Sequence, residues 1–193
     1  MNTAWVEDTL QKLTLEEKVS LLAGANFWET VAIERLGVPA VKVTDGPNGA
    51  RGGVTENGPS SSWNPDLVRE IGAALAEETR TKGANVLLAP TVNMHRGPLN
   101  GRNFECYSED PELTTEIALA YIDGLQSNGI GATIKHFIGN ESEYQRMTMS
   151  SDIGIRALRE LYLPPFEAAV AAVPTTSSTA PIPARTSGCC PTC

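Results

Sequence analysis

Four side chains of this sequence have the types and settings to do chemistry together: Asp45, Arg102, Lys135 and His136. Each stands just beyond an apolar, strand-like run. Asp45 lies in Val43-Thr44-Asp45-Gly46-Pro47-Asn48-Gly49, and Arg102 in Gly101-Arg102-Asn103-Phe104-Glu105. The Lys-His pair lies in Ile134-Lys135-His136-Phe137-Ile138-Gly139-Asn140-Glu141. Parallel α/β proteins gather their active groups at that end of the strands. An ionised Asp45 accepts hydrogen bonds from two neighbouring hydroxyls, and the Arg102 guanidinium donates a fork of them or holds a carboxylate such as Glu105. Lys135 and His136 start on opposite faces of an ideal strand, so both reach one ligand only if the backbone bends there. Each residue also has a plainer role open to it. Asp-Gly caps turns, Arg102 and Glu105 can brace a loop, and Glu141, Glu143 and Arg146 suit a solvated loop. Together the segments look like part of a sugar-binding pocket.

Other chemistries find little support. There is no Gly-x-Ser-x-Gly nucleophile turn and no phosphate-binding Walker loop. Gly46, Gly49 and Gly52 do not match the dinucleotide fingerprint. His95 and His136 are the two histidines, and neither has a second candidate at metal-ligand spacing. No metal and no cofactor are expected.

Composition narrows the partners. The 193 residues are 41% hydrophobic and 20% charged, as in ordinary globular proteins. A net charge of −8 and a pI of about 4.8 argue against nucleic acid and suit a neutral ligand. No apolar run approaches the ~20 residues needed to span a bilayer. The N-terminus lacks the basic and apolar regions of a secretory signal, so cytoplasmic residence is expected. The Asn140-Glu141-Ser142 glycosylation pattern would then stay unmodified. Cys189, Cys190 and Cys193 crowd the end of the chain with no histidine near, which falls short of a zinc site.

Helices and short apolar strands alternate from about residue 5 to residue 172. Thr14 and Glu17 are spaced as a capping box, with apolar Val19 and Leu22 and a stop at Gly24. Asn64-Pro65 opens a helix with Leu67, Val68, Ile71 and Leu75 on one face, ended by Gly83. Asp110-Pro111 opens another, carrying Leu113, Ile117, Tyr121 and Leu125. A fourth follows Asp152 and runs to Pro164-Pro165. Val41–Thr44, Asn85–Ala89 and Gly131–Ile134 read as parallel strands joined by helical crossovers. The pattern predicts an α/β fold, with residues 1–172 as one partial domain. Residues 173–193, rich in Pro, Ser, Thr and Cys, are expected to be disordered.

In their order along the chain these segments resemble the N-terminal barrel domain of glycoside hydrolase family 3, especially its fungal and bacterial β-glucosidases. The motifs that carry the likeness include Leu15-Glu16-Glu17-Lys18-Val19, Ile33-Glu34-Arg35-Leu36-Gly37-Val38-Pro39 and Thr44-Asp45-Gly46-Pro47-Asn48-Gly49. Arg102-Asn103-Phe104-Glu105, Ser108-Glu109-Asp110-Pro111, Lys135-His136-Phe137 and Arg156-Ala157-Leu158-Arg159-Glu160 complete them. The resemblance implies about the first half of a TIM-type (β/α)8 barrel. It implies that Asp45, Arg102, Lys135 and His136 bind hydroxyls of a terminal non-reducing glucose, with Arg146 shaping the same pocket. β-Glucosides or glucose are the expected partners, the reaction is retaining hydrolysis, and no cofactor is needed.

The sequence departs from that family in two places. The nucleophilic Asp of a Ser-Asp-Trp motif and the later acid/base Glu do not occur, so no catalytic residue is assigned and the chain reads as truncated and inactive alone. The segment from Gly52 to Ser62 is compressed and is expected to lack one barrel strand. Two rival expectations stand beside this one: a non-catalytic sugar-binding or regulatory fragment that self-associates through exposed sheet edges, or a chain that does not fold stably.

Overall fold

The computed structural model describes residues 3–51 and 62–172. The compressed segment and the Cys-rich tail of the sequence analysis lie outside the described residues. Three short parallel strands form the sheet: β1 (Val43–Asp45), β2 (Val86–Leu88) and β3 (Gly131–Ala132), adjacent in that order. Val43 pairs with Val86 and Asp45 with Leu88, while Val86 and Leu87 pair on their other side with Gly131 and Ala132. All three parallel strands expected from sequence are present. Each is shorter than its apolar run. Contact resumes beyond the strand ends as a single parallel bridge between Thr91 and Lys135.

The crossovers are the two long helices. In α3 (Pro65–Thr81) the Asn64 side chain accepts from the N–H groups of Asp66 and Leu67, and Pro65 opens the first turn, where no N–H partner is needed. In α4 (Pro111–Gln126) Asp110 caps in the same way, accepting from the Glu112 N–H. Both starts match the sequence expectation. The buried face of α3 includes the expected Val68 and Leu75, with Ile71 packed beside them; Leu67 is 44% exposed, and Gly72, Ala76 and Thr79 also point inward. Small residues take that face because α4 comes so close. A Cβ on Gly124 would sit 2.3 Å from the Arg69 carbonyl oxygen and 2.9 Å from the Gly72 Cα. Leu87, Ile117 and Leu125, each 1% exposed or less, join sheet and helices in one core.

The ends of the chain segment differ more from expectation. The capping box at Thr14 is formed in both directions, yet α2 (Leu15–Ser20) covers six residues and leaves Val19 and Leu22 exposed. A helix that the apolar pattern did not announce, α1 (Thr3–Lys12), precedes it. Past Asp152, α5 (Ile155–Ala157) runs into a π turn over Leu158–Tyr162. This stretch ends before Pro164-Pro165, as expected, and the pair then starts a further helix, α6 (Pro164–Ala172), since prolines in a first helical turn forfeit no hydrogen bond. No described helix is long and apolar enough to cross a membrane.

Gly124→Ala is expected to cost about 1–3 kcal/mol by forcing the two helices apart. Gly154→Ala, whose new methyl would meet nothing within 4 Å, should stay within about 0.5 kcal/mol. Urea melts of the two variants check this; equal losses would show that the α3–α4 approach does not matter.

Candidate functional site

Asp45 ends β1, Arg102 lies in the loop after β2, and Lys135 and His136 follow β3. The C-terminal ends of three parallel strands therefore bring these groups to one place. They line a cavity of about 670 Å³ together with Arg146, so all five residues singled out from the sequence meet there. The expected bend is present as well: the backbone carries Lys135 and His136 to the same cavity, and the peptide between them is cis.

The centre of the arrangement is an ion pair. Lys135 Nζ lies 2.6 Å from Asp45 Oδ1, and Arg51 Nη1 lies 3.5 Å from Asp45 Oδ2. Burial pushes the Asp45 carboxyl upward, but the Lys135 charge and hydrogen bond, aided by Arg51 and the Gly46 N–H, hold it below the ordinary carboxylate range. The aspartate is thus ionised and oriented, with its lone pairs partly committed. The Lys135 side chain is 10% exposed, so its ammonium is held in place by the carboxylate while spare N–H bonds face the cavity.

Arg102 makes a second anchor. Its Nε donates to Glu105 Oε1, and the Glu105 side chain, 2% exposed, is hydrogen-bonded in turn by the Thr91 hydroxyl at 3.2 Å. Burial lowers the affinity of Arg102 for its proton, but the Glu105 hydrogen bond and charge, with Glu143, raise it further, so the guanidinium stays charged. Both readings of Arg102 hold at once, since it braces its loop and also faces the cavity. Arg146 is paired with Glu143, with Nη1 2.8 Å from Oε2.

His136 is the neutral member. Asn93 Oδ1 accepts from the His136 backbone N–H at 3.2 Å and lies 3.0 Å from Nδ1. An oxygen already serving as acceptor requires the proton to be on Nδ1, which leaves Nε2 as an acceptor. Burial, reinforced by the positive charges of Arg102 and Lys135, pulls the imidazole down to about 3. The cavity thus offers an ionised aspartate, cations and a neutral imidazole, a donor and acceptor set suited to several hydroxyls.

Several lining residues escaped the sequence analysis. Arg51, Phe104, Thr133 and Met147 also face the cavity. Arg51 stands in the turn after Asp45, where nothing in spacing or periodicity distinguishes it from a surface arginine. Glu143, assigned to a solvated loop, in fact bridges Arg102 and Arg146. Asn140 also lines the cavity and is 7% exposed, so the folded chain has no room for a glycan on it. Cys106 is a buried thiol outside any disulfide, and burial pushes it up to about 12, which removes it from nucleophilic chemistry.

A short parallel sheet with helical crossovers and a polar cavity beyond its strand ends is a layout in which α/β enzymes place their active sites. The chain belongs to glycosyl hydrolase family 3: the model of that family's N-terminal domain matches residues 14–178. It is 62% identical to a β-glucosidase of Rhizobium radiobacter over 177 residues, 86% of this chain and 22% of that protein. It is 56% identical to β-glucosidase B of Emericella nidulans, over 88% of this chain and 21% of that one. The solved β-glucosidase of Kluyveromyces marxianus superposes with a TM-score of 0.82 at 45% identity, covering 86% of this chain and 21% of that one. β-Glucosidase 3B of Thermotoga neapolitana, solved in complex with glucose, gives 0.78 at 41% identity over 86% and 27%. This chain therefore spans about a fifth of the length of the curated relatives it matches.

The neutral, buried His136 couples stability to pH. Its folded pKa lies below the 6.5 of an ordinary histidine, so the unfolded chain takes up the proton first and stability falls as pH drops from about 6.5 toward 3. The loss should approach about 1.4 kcal/mol per pH unit below that point. Between pH 7 and 5, where ordinary carboxylates stay ionised, urea melts of the His136→Gln variant should show a flatter profile than the parent; identical slopes would remove His136 as the cause.

Proposed function

We propose that these residues form part of the glucose subsite of a retaining β-glucosidase, the pocket that takes a terminal non-reducing β-D-glucosyl group, and that this segment alone binds the sugar without hydrolysing it. The observation that carries the reading is the convergence of Asp45, Arg102, Lys135 and His136 on one cavity, with Arg146 at its side. The glucose complex of the Thermotoga neapolitana relative supports the choice of ligand.

The lack of hydrolysis rests on the state of the cavity carboxylates. Retaining cleavage needs a carboxylate free to attack and a carboxylic acid ready to give a proton, about 5–5.5 Å apart. Asp45 is paired with Lys135, Glu105 with Arg102, and Glu143 with both arginines. The carboxyl that burial pushes upward, Glu141, is not among the lining residues. The corresponding architecture is a partial TIM-type barrel over residues 1–172, supported by three adjacent parallel strands taken in chain order. Self-association is a second reading. No described residue extends the sheet beyond β3, and Leu22, Phe27 and Trp63 are more than four-fifths exposed.

D-Glucose at about tenfold excess over its Kd should stabilise the chain by about 1.4 kcal/mol, a Tm rise of roughly 3–6 °C. Asp45→Ala should abolish that rise, and an aryl β-glucoside should remain uncleaved. No rise in the parent chain would remove the binding half; hydrolysis lost in Asp45→Ala would remove the other half.

A further inference from the structure

Glu143 occupies an unusual place for a residue of a polar surface loop. Its carboxylate lies between two guanidiniums, with Oε2 2.8 Å from Arg146 Nη1 and Oε1 3.6 Å from Arg102 Nη1. Oε1 is fully buried yet has no hydrogen-bond partner among the described residues. The side chain is 25% exposed overall and lines the cavity. Its position is tightly set from the other side too, because a Cβ on Gly101 would come within 2.9 Å of the Glu143 Cβ. The loop after β3 is therefore packed directly against the loop that carries Arg102.

Charge balance gives this placement a meaning. Arg51, Arg102, Lys135 and Arg146 meet Asp45, Glu105 and Glu143 on the cavity wall, with His136 neutral, so among the described residues the cations exceed the carboxylates by one. Asp45 and Glu105 are committed to Lys135 and Arg102. Glu143 is the carboxylate placed between the two guanidiniums. A wall with two positive charges in excess would attract an anionic sugar, whose carboxylate pairs bidentately with a guanidinium. With Glu143 ionised, an incoming anion meets a negative charge beside the guanidiniums it seeks.

We infer that Glu143 is a specificity-determining residue that tunes this cavity to neutral sugars and turns away their uronic-acid counterparts, by holding a fixed negative charge between Arg102 and Arg146. The inference rests on the sugar-binding reading above and deepens it. Glucose and glucuronate differ at C6, hydroxymethyl against carboxylate, so comparing them isolates charge from the rest of the ring.

The test uses the full 193-residue chain and measures the Kd of D-glucose and of D-glucuronate by titration calorimetry at low salt. In Glu143→Gln, nearly isosteric, the ratio of the two constants should move toward glucuronate by about tenfold, as expected for removing one charge a few ångströms from the ligand. Adding Arg146→Gln to that variant should return the ratio toward the parent value, because the balance of charge is restored while the ion pair is not. If Glu143→Gln weakens both ligands in proportion, or if the double variant stays shifted, Glu143 only ties the loops and the inference fails. If Glu143→Gln shows no cooperative melt, Arg146→Gln alone decides the matter: the ratio must move away from glucuronate, and an unchanged ratio overturns the idea. A parent chain that binds no glucose, beside a Glu143→Gln variant that gains glucuronate, would keep the charge role and remove the sugar-subsite reading. No binding by any folded form would remove both.

Discussion

The ion pair between Lys135 and Asp45 is the contact on which the arrangement depends. The two residues are 90 positions apart, Asp45 ending β1 and Lys135 standing just past β3, so the pair ties together the two outer strands of the sheet. A lysine this buried without a counter-charge would be costly, and so would the aspartate. Each therefore enforces the position of the other, and the cavity inherits its shape from that mutual constraint. Arg51 and the Gly46 N–H complete the coordination of the carboxylate from its own turn. Catalytic and binding groups need rigid support of this kind, because their use depends on placement to within fractions of an ångström.

Behind the cavity the same economy of space is met by the opposite means. Where α3 crosses α4 the chain has removed side chains altogether, and Gly72 and Gly124 let two backbones touch. That approach lets both helices press onto a sheet whose strands are two or three residues long, too short to hold together by ladder hydrogen bonds alone. Leu87 at the sheet centre and Leu125 on α4 are wholly buried as a result. The apolar platform and the polar rim are thus separate layers, joined at the ends of the strands.

Much of this was legible from residue order. The helix starts at Asn64-Pro65 and Asp110-Pro111 were readable because capping and proline rules are local. The three strands were readable because each β-branched or apolar run is bracketed by turn residues. Asp45, Arg102, Lys135, His136 and Arg146 were identified through motifs, and they do share one cavity. Arg51 and Glu143 were not legible, since their roles come from neighbours far along the chain or across a loop. On α3 the expected Val68 and Leu75 are buried and Ile71 packs beside them; Leu67 is not, and Gly72, Ala76 and Thr79, which share the inward face, carry little hydrophobic signal. The pair Pro164-Pro165 does end the helical stretch before it, but that it also opens α6 was not legible, because proline punctuates both ends of helices and only the burial of Phe166 and Ala169 shows the second role.

Asn140 gives the fold a kinetic side. Its side chain is enclosed in the wall of the cavity, within a sequence pattern that oligosaccharyl transfer accepts only on an accessible, extended chain. In a glycosylating compartment the transferase and the closing loop after β3 would compete for the same residue during synthesis. Chains that fold first would keep Asn140 unmodified in the cavity wall. Chains modified first would carry a glycan where the folded structure encloses that residue, so two populations of identical sequence would emerge with differently formed walls. The choice of expression host thus becomes a structural variable for this protein.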